Sequence, residues 1–306
     1  MTFRKYPSIE NHYYTGEIEK WLFHNPELRD CMYSIQEKLH GANIQLHFYD
    51  GVMYVGKRTT MLEPGEKFYD IWNALEKIKS VTDRLALLSK GGLSFTLYGE
   101  LFGGSIGKGV NYGREQQIRF FDLRHEGEMV SALEFLKFAH RNLPNELIIP
   151  VLATVTGIDE VLAYDENFLT WINPIEGNWA EGFVAKPMSA VFTSPQGAVF
   201  MIKKKAENFT EKQKAKREVI PDSDVAKLHA EMVSLATENR MLAVFSKEGK
   251  IESPKQIGDY IKAFVTDCRE ELLKEYGELF DSLDKAQQKN VCRIGHLAVP
   301  ILKRHL

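Results

Sequence analysis

The stretch Glu37-Lys38-Leu39-His40-Gly41-Ala42-Asn43 stands directly before a predicted β-hairpin. Apolar residues alternate with polar ones from Ile44 onward, and the alternation resumes after Asp50-Gly51. Asp-Gly favours a two-residue hairpin turn, because both of its residues readily adopt positive backbone dihedrals. We therefore expect Lys38 at the end of one strand, just before the turn into the next.

Strand patterns continue through the first two thirds of the chain, and helical periodicity dominates the last third. Apolar residues at turn spacing predict a helix over Glu128 to Arg141. After Pro221 the segments 224–241, 254–277 and 281–304 have helical patterns. We therefore expect an α+β domain over residues 1–220 and a small all-α domain over residues 221–306. The further predicted strands are Ser94 to Leu101, Ile118 to Leu123, Leu147 to Val155, Gly182 to Pro187 and Ala198 to Lys205.

The composition is typical of a globular protein in a reducing compartment. The chain has 306 residues and a hydrophobic content of 44%, enough for a substantial core. Its cysteines, Cys31, Cys268 and Cys292, lie far apart without the paired spacing of a zinc or redox motif. No apolar run is long enough to span a membrane, and the first residues lack the apolar core of a signal peptide. We expect a cytoplasmic protein without a membrane partner.

The net charge of -3 argues against binding nucleic acid through bulk electrostatics. The segment 202–217 is an exception, since its seven basic and two acidic residues give it a net charge of +5. The part of this segment from Lys212 to Arg217 is either a phosphate-binding surface or a solvated helix face, and both interpretations stay open. Any nucleic-acid site is therefore expected to be local.

The pattern Lys-x-x-Gly is weak evidence by itself, because chance gives about one or two matches in a chain with this many lysines. It occurs at Lys38 with Gly41, Lys255 with Gly258 and Lys274 with Gly277. Only the first match is followed by an ordered set of further motifs. These are Gly56-Lys57-Arg58-Thr59, Tyr98-Gly99-Glu100-Leu101-Phe102-Gly103-Gly104, Phe120-Phe121-Asp122, Glu181-Gly182-Phe183-Val184-Ala185-Lys186-Pro187 and Ile202-Lys203-Lys204-Lys205.

On these motifs the chain resembles the RNA ligase 2 family, the double-stranded RNA ligases of T-even bacteriophages, and the related kinetoplastid RNA-editing ligases. The resemblance runs from the segment 6–13 through the segment 209–212. It implies a nucleotidyltransferase domain of antiparallel sheets and helices. It also implies ATP-dependent joining of RNA 3'-hydroxyl and 5'-phosphate ends, as in RNA repair, at nicks in duplex RNA or between ends bridged by a template.

The resemblance further implies a reaction in three steps. Lys38 takes AMP from ATP to form lysyl-AMP, AMP passes to an RNA 5'-phosphate, and a 3'-hydroxyl then displaces AMP. Mg²⁺ or Mn²⁺ is the implied metal.

Roles for individual residues also follow from the resemblance. Phe121 stacks on adenine, Glu100 holds the ribose hydroxyls, Arg58 contacts phosphate, and Glu181 takes part in metal binding. Glu37, Asn43 and Lys186 occupy further positions of the nucleotide site. His40 matches the Lys-x-His-Gly variant of the RNA ligase branch, and His40 and Lys212 are candidate RNA contacts. Gln36 departs from the family, whose phage members have arginine there.

The chemistry itself requires cations near Lys38. A lysine attacks phosphorus only as the neutral amine, and with a reference pKa of about 10.4 this costs roughly 4.6 kcal/mol at neutral pH. Lys203 and Lys205 are the candidate cations, both to favour the neutral amine and to stabilise charge on the phosphates. Because side chains alternate along a strand, Lys204 is expected to point the other way and to matter least.

Two other classes of function stay open. A capping guanylyltransferase or a DNA ligase shares the covalent chemistry, but these enzymes carry a β-barrel where this chain has helices. A catalytically silent RNA-binding protein of the same fold is the second alternative, although every motif is intact. The helical tail, with 13 basic and 14 acidic residues over 221–306, has a net charge of -1, so an RNA contact and a protein partner both stay open for it.

Overall fold

The computed structural model describes residues 3–107, 109–210 and 223–306. It separates into two compact units, Met1–Ala206 and Glu207–Leu306. The domain boundary predicted near residue 220 lies outside the described residues and stays a prediction.

Two five-stranded sheets form the framework of the first unit. Its described strands are β1 (Glu10–Asn11), β2 (Met32–Glu37), β3 (Ala42–Tyr49), β4 (Val52–Lys57), β5 (Ser94–Gly103), β6 (Gln116–His125), β7 (Glu128–Met129), β8 (Val151–Thr156), β9 (Gly182–Pro187) and β10 (Ile202–Lys205). One sheet has the order β1-β10-β9-β2-β8 and the other the order β4-β3-β5-β6-β7. Neighbouring strands are antiparallel except for β1 and β10, which run parallel.

Helices cover these sheets and close two apolar cores. They are α1 (Thr15–His24), α2 (Ile71–Lys77), α3 (Lys79–Leu88), α4 (Ala132–Asn142) and α5 (Ile158–Ala163). The larger core lies between the second sheet and helices α2, α3 and α4, and Phe48, Leu97 and Phe120 are fully buried in it. A second core surrounds Tyr33 and Ile35 of β2. The α+β prediction is therefore confirmed.

The predicted hairpin is present as β3 and β4. Asp50 and Gly51 form its turn with φ angles of 47° and 82°, the positive values that Asp-Gly was expected to supply. Lys38 directly follows β2, as the sequence predicted.

Several helices and strands begin at other residues than the sequence predicted, because of local hydrogen bonds. The pattern over Glu128 to Arg141 contains the short strand β7, and α4 begins only at Ala132 because Ser131 and Glu134 form a capping box there. Strand β8 begins at Val151 rather than Leu147, since the segment Asn145–Leu147 is a 3₁₀ turn. Strand β10 is confined to Ile202–Lys205.

The second unit is helical, as expected. Its described α-helices are α6 (Asp224–Leu235), α7 (Glu238–Glu248), α8 (Ile257–Asp281), α9 (Lys285–Val291) and α10 (Gly295–Lys303). Two predicted helices are each divided in two, and Thr237 explains the first division because its hydroxyl caps the N-terminus of α7. Phe264, Cys268 and Ile294 are fully buried in the core of this unit. Its interior also holds an ion pair between Arg240 of α7 and Asp267 of α8 at 3.1 Å.

Two further findings concern the cysteines and the length of the apolar helices. All three cysteines are free thiols. None of the helices in the described ranges is both long enough and apolar enough to cross a membrane.

Candidate active site

Lys38 lies in the loop that joins β2 of one sheet to β3 of the other. Both its backbone and its side chain are hydrogen-bonded. Its backbone N–H donates to the carbonyl oxygen of Gly182 at 2.8 Å. Its Nζ donates to Oε2 of Glu181 at 2.8 Å, and the side chain remains 22% exposed. The amine is thus fixed in direction while one side of it stays open to a ligand.

Glu181 is the centre around which the cations gather. Nζ of Lys205 lies 2.7 Å from its Oε1, and Nδ1 of His40 lies 3.6 Å from its Oε2. Burial alone would raise the pKa of Glu181, but the charges of Lys205, Lys38 and His40 outweigh burial and lower this pKa to about 2. Glu181 is therefore ionised at neutral pH and holds Lys38 by charge rather than accepting its proton.

Glu100 on β5 is a second carboxylate with the opposite behaviour. Burial raises the pKa of Glu100 to about 8; the charge of Lys38 opposes this shift, and the neighbouring Glu181 adds to it. Arg58 also lowers this pKa, which places its guanidinium within electrostatic reach of the same carboxyl group. Lys38, Arg58, Glu100 and Glu181, predicted from four separate motifs, are thus brought together.

Gly41 is required by close approach rather than by a turn. Its φ angle is not in the positive region, but a Cβ there would lie 2.4 Å from the carbonyl oxygen of Leu101 and 2.8 Å from Cγ of Glu100. Another glycine approaches the backbone of the neighbouring His40 just as closely. A Cβ on Gly107 would lie 2.0 Å from the carbonyl oxygen of His40. Gly41 therefore allows β5 to bring Glu100 close to Lys38.

Phe121 and Lys186 form a second cluster with two residues that the sequence analysis did not single out. Nζ of Lys186 lies 5.3 Å from the centroid of the Phe121 ring and 3.0 Å from Oδ2 of Asp122. The hydroxyl of Tyr6 donates to Asp122, and its ring meets Phe121 edge-on at 5.2 Å. Burial lowers the pKa of Lys186, and Asp122 opposes this shift. Asp122 and Tyr6 could have been found, because each lies within a motif used for the family resemblance.

The carboxylate of Glu37 is buried and hydrogen-bonded to other groups of the protein. Its carboxylate accepts a hydrogen bond from Oγ1 of Thr170 at 2.5 Å and another from the backbone N–H of Trp171 at 2.9 Å. Burial raises the pKa of Glu37, and these two donors partly offset the shift. Through these two hydrogen bonds Glu37 holds the segment around residue 170. No sequence motif indicated this role.

The lysines of strand β10 lie on two opposite faces, as expected. Lys203 and Lys205 share one face of β10, and Lys204 lies on the other. Nζ of Lys204 donates to the carbonyl oxygens of Leu162 and Tyr164 at 3.0 and 2.9 Å and pairs with Glu166 at 2.9 Å. The ammonium of Lys204 is thus engaged away from Lys38.

The remaining predicted residues are placed as follows. Asn43 lies on β3 opposite Glu100, only 6% exposed, and its Oδ1 has no hydrogen-bond partner in the described part of the chain. Lys212 lies outside the described residues. Within the ranges that the structure describes, no group of three or more His, Cys, Asp or Glu side chains could by itself enclose a metal ion.

Comparison with solved structures shows what kind of fold carries this arrangement. The structure of a Naegleria gruberi RNA ligase with pyrophosphate aligns with a TM-score of 0.50 and 16% identity, over 68% of this chain and 57% of that chain. A lysine-to-alanine variant of that ligase with ATP and manganese aligns with a TM-score of 0.51 and 16% identity, over 68% and 58%. This chain thus spans less than two thirds of the length of these structures, and the likeness defines its fold as that of an RNA ligase nucleotidyltransferase.

Family models give the more specific assignment. The model described as RNA ligase matches residues 32–205, more than half of the chain. The model described as T4 RNA ligase 2 C-terminal matches residues 218–294. The chain therefore belongs to the RNA ligase family, and the resemblance to the RNA ligase 2 branch is confirmed.

Proposed function

We propose that this protein is an ATP-dependent RNA ligase that joins RNA 3'-hydroxyl and 5'-phosphate ends through a lysyl-AMP and an RNA-adenylate intermediate. The observation that carries the proposal is the sharing of one carboxylate by two ammonium groups, Lys38 on Oε2 and Lys205 on Oε1 of Glu181. This arrangement places a second fixed positive charge beside the nucleophile, where phosphoryl transfer accumulates negative charge.

In the first step Lys38 leaves Glu181 and attacks as the neutral amine. A bond forms between Nζ and the α-phosphorus of ATP, the bond to the β-phosphate breaks, and pyrophosphate leaves with the bonding electron pair. The proton lost by the amine passes to solvent. Lys205, together with Lys203 on the same face of β10, stabilises the charge on the phosphates.

In the later steps Lys38 serves as the leaving group and then stands aside. An oxygen of the RNA 5'-phosphate attacks the phosphorus of AMP, the Nζ–P bond breaks, and Lys38 regains a proton. The 3'-hydroxyl then attacks the RNA 5'-phosphorus and AMP leaves with the electron pair. One set of cations thus serves three transfers at phosphorus.

The adenine nucleotide would lie against the cluster formed by Phe121, Lys186, Asp122 and Tyr6. Phe121 offers a partly buried ring for adenine, braced edge-on by Tyr6 and covered by Lys186. The proposal assigns Glu100 to the ribose hydroxyls and Arg58 to phosphate. Oδ1 of Asn43 is buried without a hydrogen-bond partner among the described residues, and this supports a role in holding the nucleotide, because a buried polar atom normally has a partner. Glu37 contributes by holding the neighbouring segment rather than by a free carboxylate.

Mg²⁺ or Mn²⁺ fits these residues as a metal held jointly by protein and substrate. Glu181 is ionised at neutral pH, and its Oε2 would become available to such an ion once Lys38 leaves it to attack ATP. A small divalent ion needs only one or two protein carboxylates when phosphates and water supply the other ligands. When bound, the metal would neutralise charge on the phosphates.

The substrate and its setting complete the proposal. The RNA is a nicked duplex or a pair of bridged ends, with His40 and Lys212 as candidate contacts. The helical unit engages either that RNA or a protein partner. A cytoplasmic location is part of the proposal, and the free thiols support a reducing compartment.

Self-adenylylation tests the central claim. The chain is incubated with α-labelled ATP, GTP or NAD and a divalent metal, and the covalent label is read after denaturing electrophoresis. We expect label from ATP alone, and none in Lys38→Ala. The matched control is Lys255→Ala, an exposed lysine that also precedes a glycine by three residues and should label fully. Label from GTP would favour a capping enzyme, and an unlabelled chain would favour a silent RNA-binding protein.

Sealing assays then define the polynucleotide. A nicked RNA duplex should be sealed, and deoxyribonucleotides on the 3'-hydroxyl side of the nick should suppress sealing. Equal rates on the two duplexes would contradict the assignment to RNA.

A further inference from the structure

The segment 168–180 forms a small hairpin that leads directly into Glu181; we refer to it as the Trp hairpin. The N–H of Ala180 donates to the carbonyl oxygen of Phe168 at 2.9 Å, and the N–H of Thr170 donates to that of Asn178 at 3.0 Å. Leu169 and Trp179 face each other across the hairpin. Its two arms are therefore paired up to the tip at residues 171–177.

Side chains on the two faces of the Trp hairpin meet different surroundings. Thr170, Asn178 and Ala180 are buried. Trp171 is 61% exposed and Trp179 is 49% exposed, although each directly follows a buried residue. Trp179 is paired with Leu169, and because successive side chains of extended backbone point to opposite faces, its indole lies on the outer face, away from the buried Asn178 and Ala180. Trp171 lies in the bend where the tip begins, and its exposed indole is at the surface. Large exposed apolar groups of this kind are typical of interaction surfaces.

The inner face is fixed to the active site at two places. Thr170 and the backbone N–H of Trp171 both donate to Glu37, the residue before the nucleophile. Asn178 donates to the carbonyl oxygen of Asn111 at 2.9 Å, and the N–H of Asn111 donates back to it at 2.8 Å. The hairpin that carries the indoles is thus held by hydrogen bonds to Glu37 and Asn111.

The outer face lies close to the reacting groups. Trp179 precedes Glu181 by two residues, which span at most about 7 Å of chain. Glu181 in turn binds Nζ of Lys38 at 2.8 Å. Trp179 therefore lies close to the carboxylate that binds Lys38, and an RNA end held at Lys38 would lie near this part of the hairpin.

The chemistry of the tip favours bases over phosphates. Residues 171–177 include a single charged residue, the acidic Glu176. A backbone-binding surface would need lysine or arginine, whereas indole rings offer flat π faces on which nucleobases stack.

We propose that Trp171 and Trp179 form a stacking surface for a nucleobase of the RNA substrate beside the end that reacts. This inference rests on the proposed function, since it assigns the RNA side of the same active site. It predicts an aromatic contribution to RNA affinity that is independent of phosphate contacts.

The test compares aromatic with aliphatic replacements in binding to a dye-labelled nicked RNA duplex. Trp171→Leu and Trp179→Leu should each weaken binding about fivefold or more, the range measured for loss of base stacking. Trp171→Phe and Trp179→Phe should retain most of the affinity, because phenyl rings also stack. Phe23→Ala removes an aromatic side chain that is 81% exposed on α1 and should leave binding unchanged. Thermal melting confirms that each variant is folded.

Salt and fluorescence supply two further measurements. The Leu variants should keep the native dependence of affinity on salt, since no phosphate contact is lost. A chain with Trp21→Phe and Trp72→Phe retains only the hairpin indoles, whose emission should be quenched by RNA. Equal binding by Phe and Leu variants, a reduced salt dependence or unquenched emission would each overturn the stacking surface. Failure of the native chain to label with ATP would instead overturn the proposed function.

Discussion

At the scale of single residues, two neighbouring glutamates are driven to opposite protonation states. Glu181 has three cationic neighbours and a pKa of about 2, whereas burial raises the pKa of Glu100 to about 8. Both are carboxyl groups with the same ordinary pKa, so the difference comes entirely from surroundings. One is suited to hold cations, and the other can exchange a proton near neutral pH.

This difference predicts how stability changes with pH. Between about pH 4.5 and pH 8 the folded chain keeps the proton on Glu100 that the unfolded chain has released, so Glu100 lowers the free energy of unfolding as pH rises. Glu100→Gln removes the ionisable group and should melt increasingly above the native chain from pH 5 to pH 8. The measurement is the melting temperature against pH, without nucleotide or divalent cations.

Glu76→Gln is the control for that series. Glu76 is an exposed carboxylate on α2, so its replacement should leave the pH profile parallel to the native one. Parallel profiles for Glu100→Gln as well would show that Glu100 does not titrate in this range.

The structure brings together most of the residues that the sequence singled out, but the sequence did not indicate how these residues contact one another. Lys38, Glu100, Glu181 and Lys205 stand in motifs, and the structure brings them together. The contact of Glu37 with Thr170 joins residues 133 positions apart, and nothing in either local pattern indicates it. Such long-range hydrogen bonds depend on how the sheets pack, which alternation and spacing do not encode.

At the scale of elements, the approach of β5 to the loop after β2 depends on one missing side chain. A methyl group on Gly41 would collide with the backbone of Leu101 and with the side chain of Glu100. The identical spacing at Lys255 and Gly258 has no such neighbour, since a Cβ on Gly258 meets nothing within 4 Å. The Lys-x-x-Gly match at Lys38 therefore differs from the match at Lys255 in the steric surroundings of its glycine.

Alanine at these two glycines should have opposite effects. Gly41→Ala is expected to destabilise the chain by about 1–3 kcal/mol through overpacking and to reduce self-adenylylation at least tenfold, because Glu100 is displaced. Gly258→Ala should be neutral or stabilise α8 by up to about 1 kcal/mol with full labelling. Melting temperature and covalent labelling measure both, and full labelling by Gly41→Ala would contradict the steric account.

Elements with strong local determinants were predicted well. The hairpin β3–β4 followed from Asp50-Gly51 and alternation, and strand β9 has the predicted bounds. Boundaries failed where a side chain competes with the backbone, as at Ser131 and Thr237, whose hydroxyls start a helix inside an otherwise continuous pattern.

At the scale of the whole molecule, each compact unit has an apolar core of its own. The core of the second unit includes Leu228, Phe264 and Leu302, all from its own helices. The cations and carboxylates of the candidate active site that are described above all belong to the first unit. The two units are therefore expected to divide chemistry from recognition.

Truncation tests this division. A chain ending near residue 220 should fold and self-adenylylate at close to the native level, because Lys38, Glu181 and Lys205 are all retained. Its sealing of nicked RNA should fall at least tenfold if the helices engage RNA. Native sealing by the truncated chain would make the helical unit a docking module for a protein partner.

The topology of the first sheet also orders events during synthesis. Strand β2 delivers the nucleophile, yet its neighbours β8 and β9 are encoded more than 110 residues downstream. A nascent chain emerging from the ribosome therefore cannot pair β2 with β8 until translation has passed Thr156. Pairing of β2 with β9 must wait until Pro187, and Lys205 arrives later still. Sheet completion by such distant strands is intrinsically slow. The site proposed around Lys38 is therefore expected to be incomplete until translation has passed Lys205.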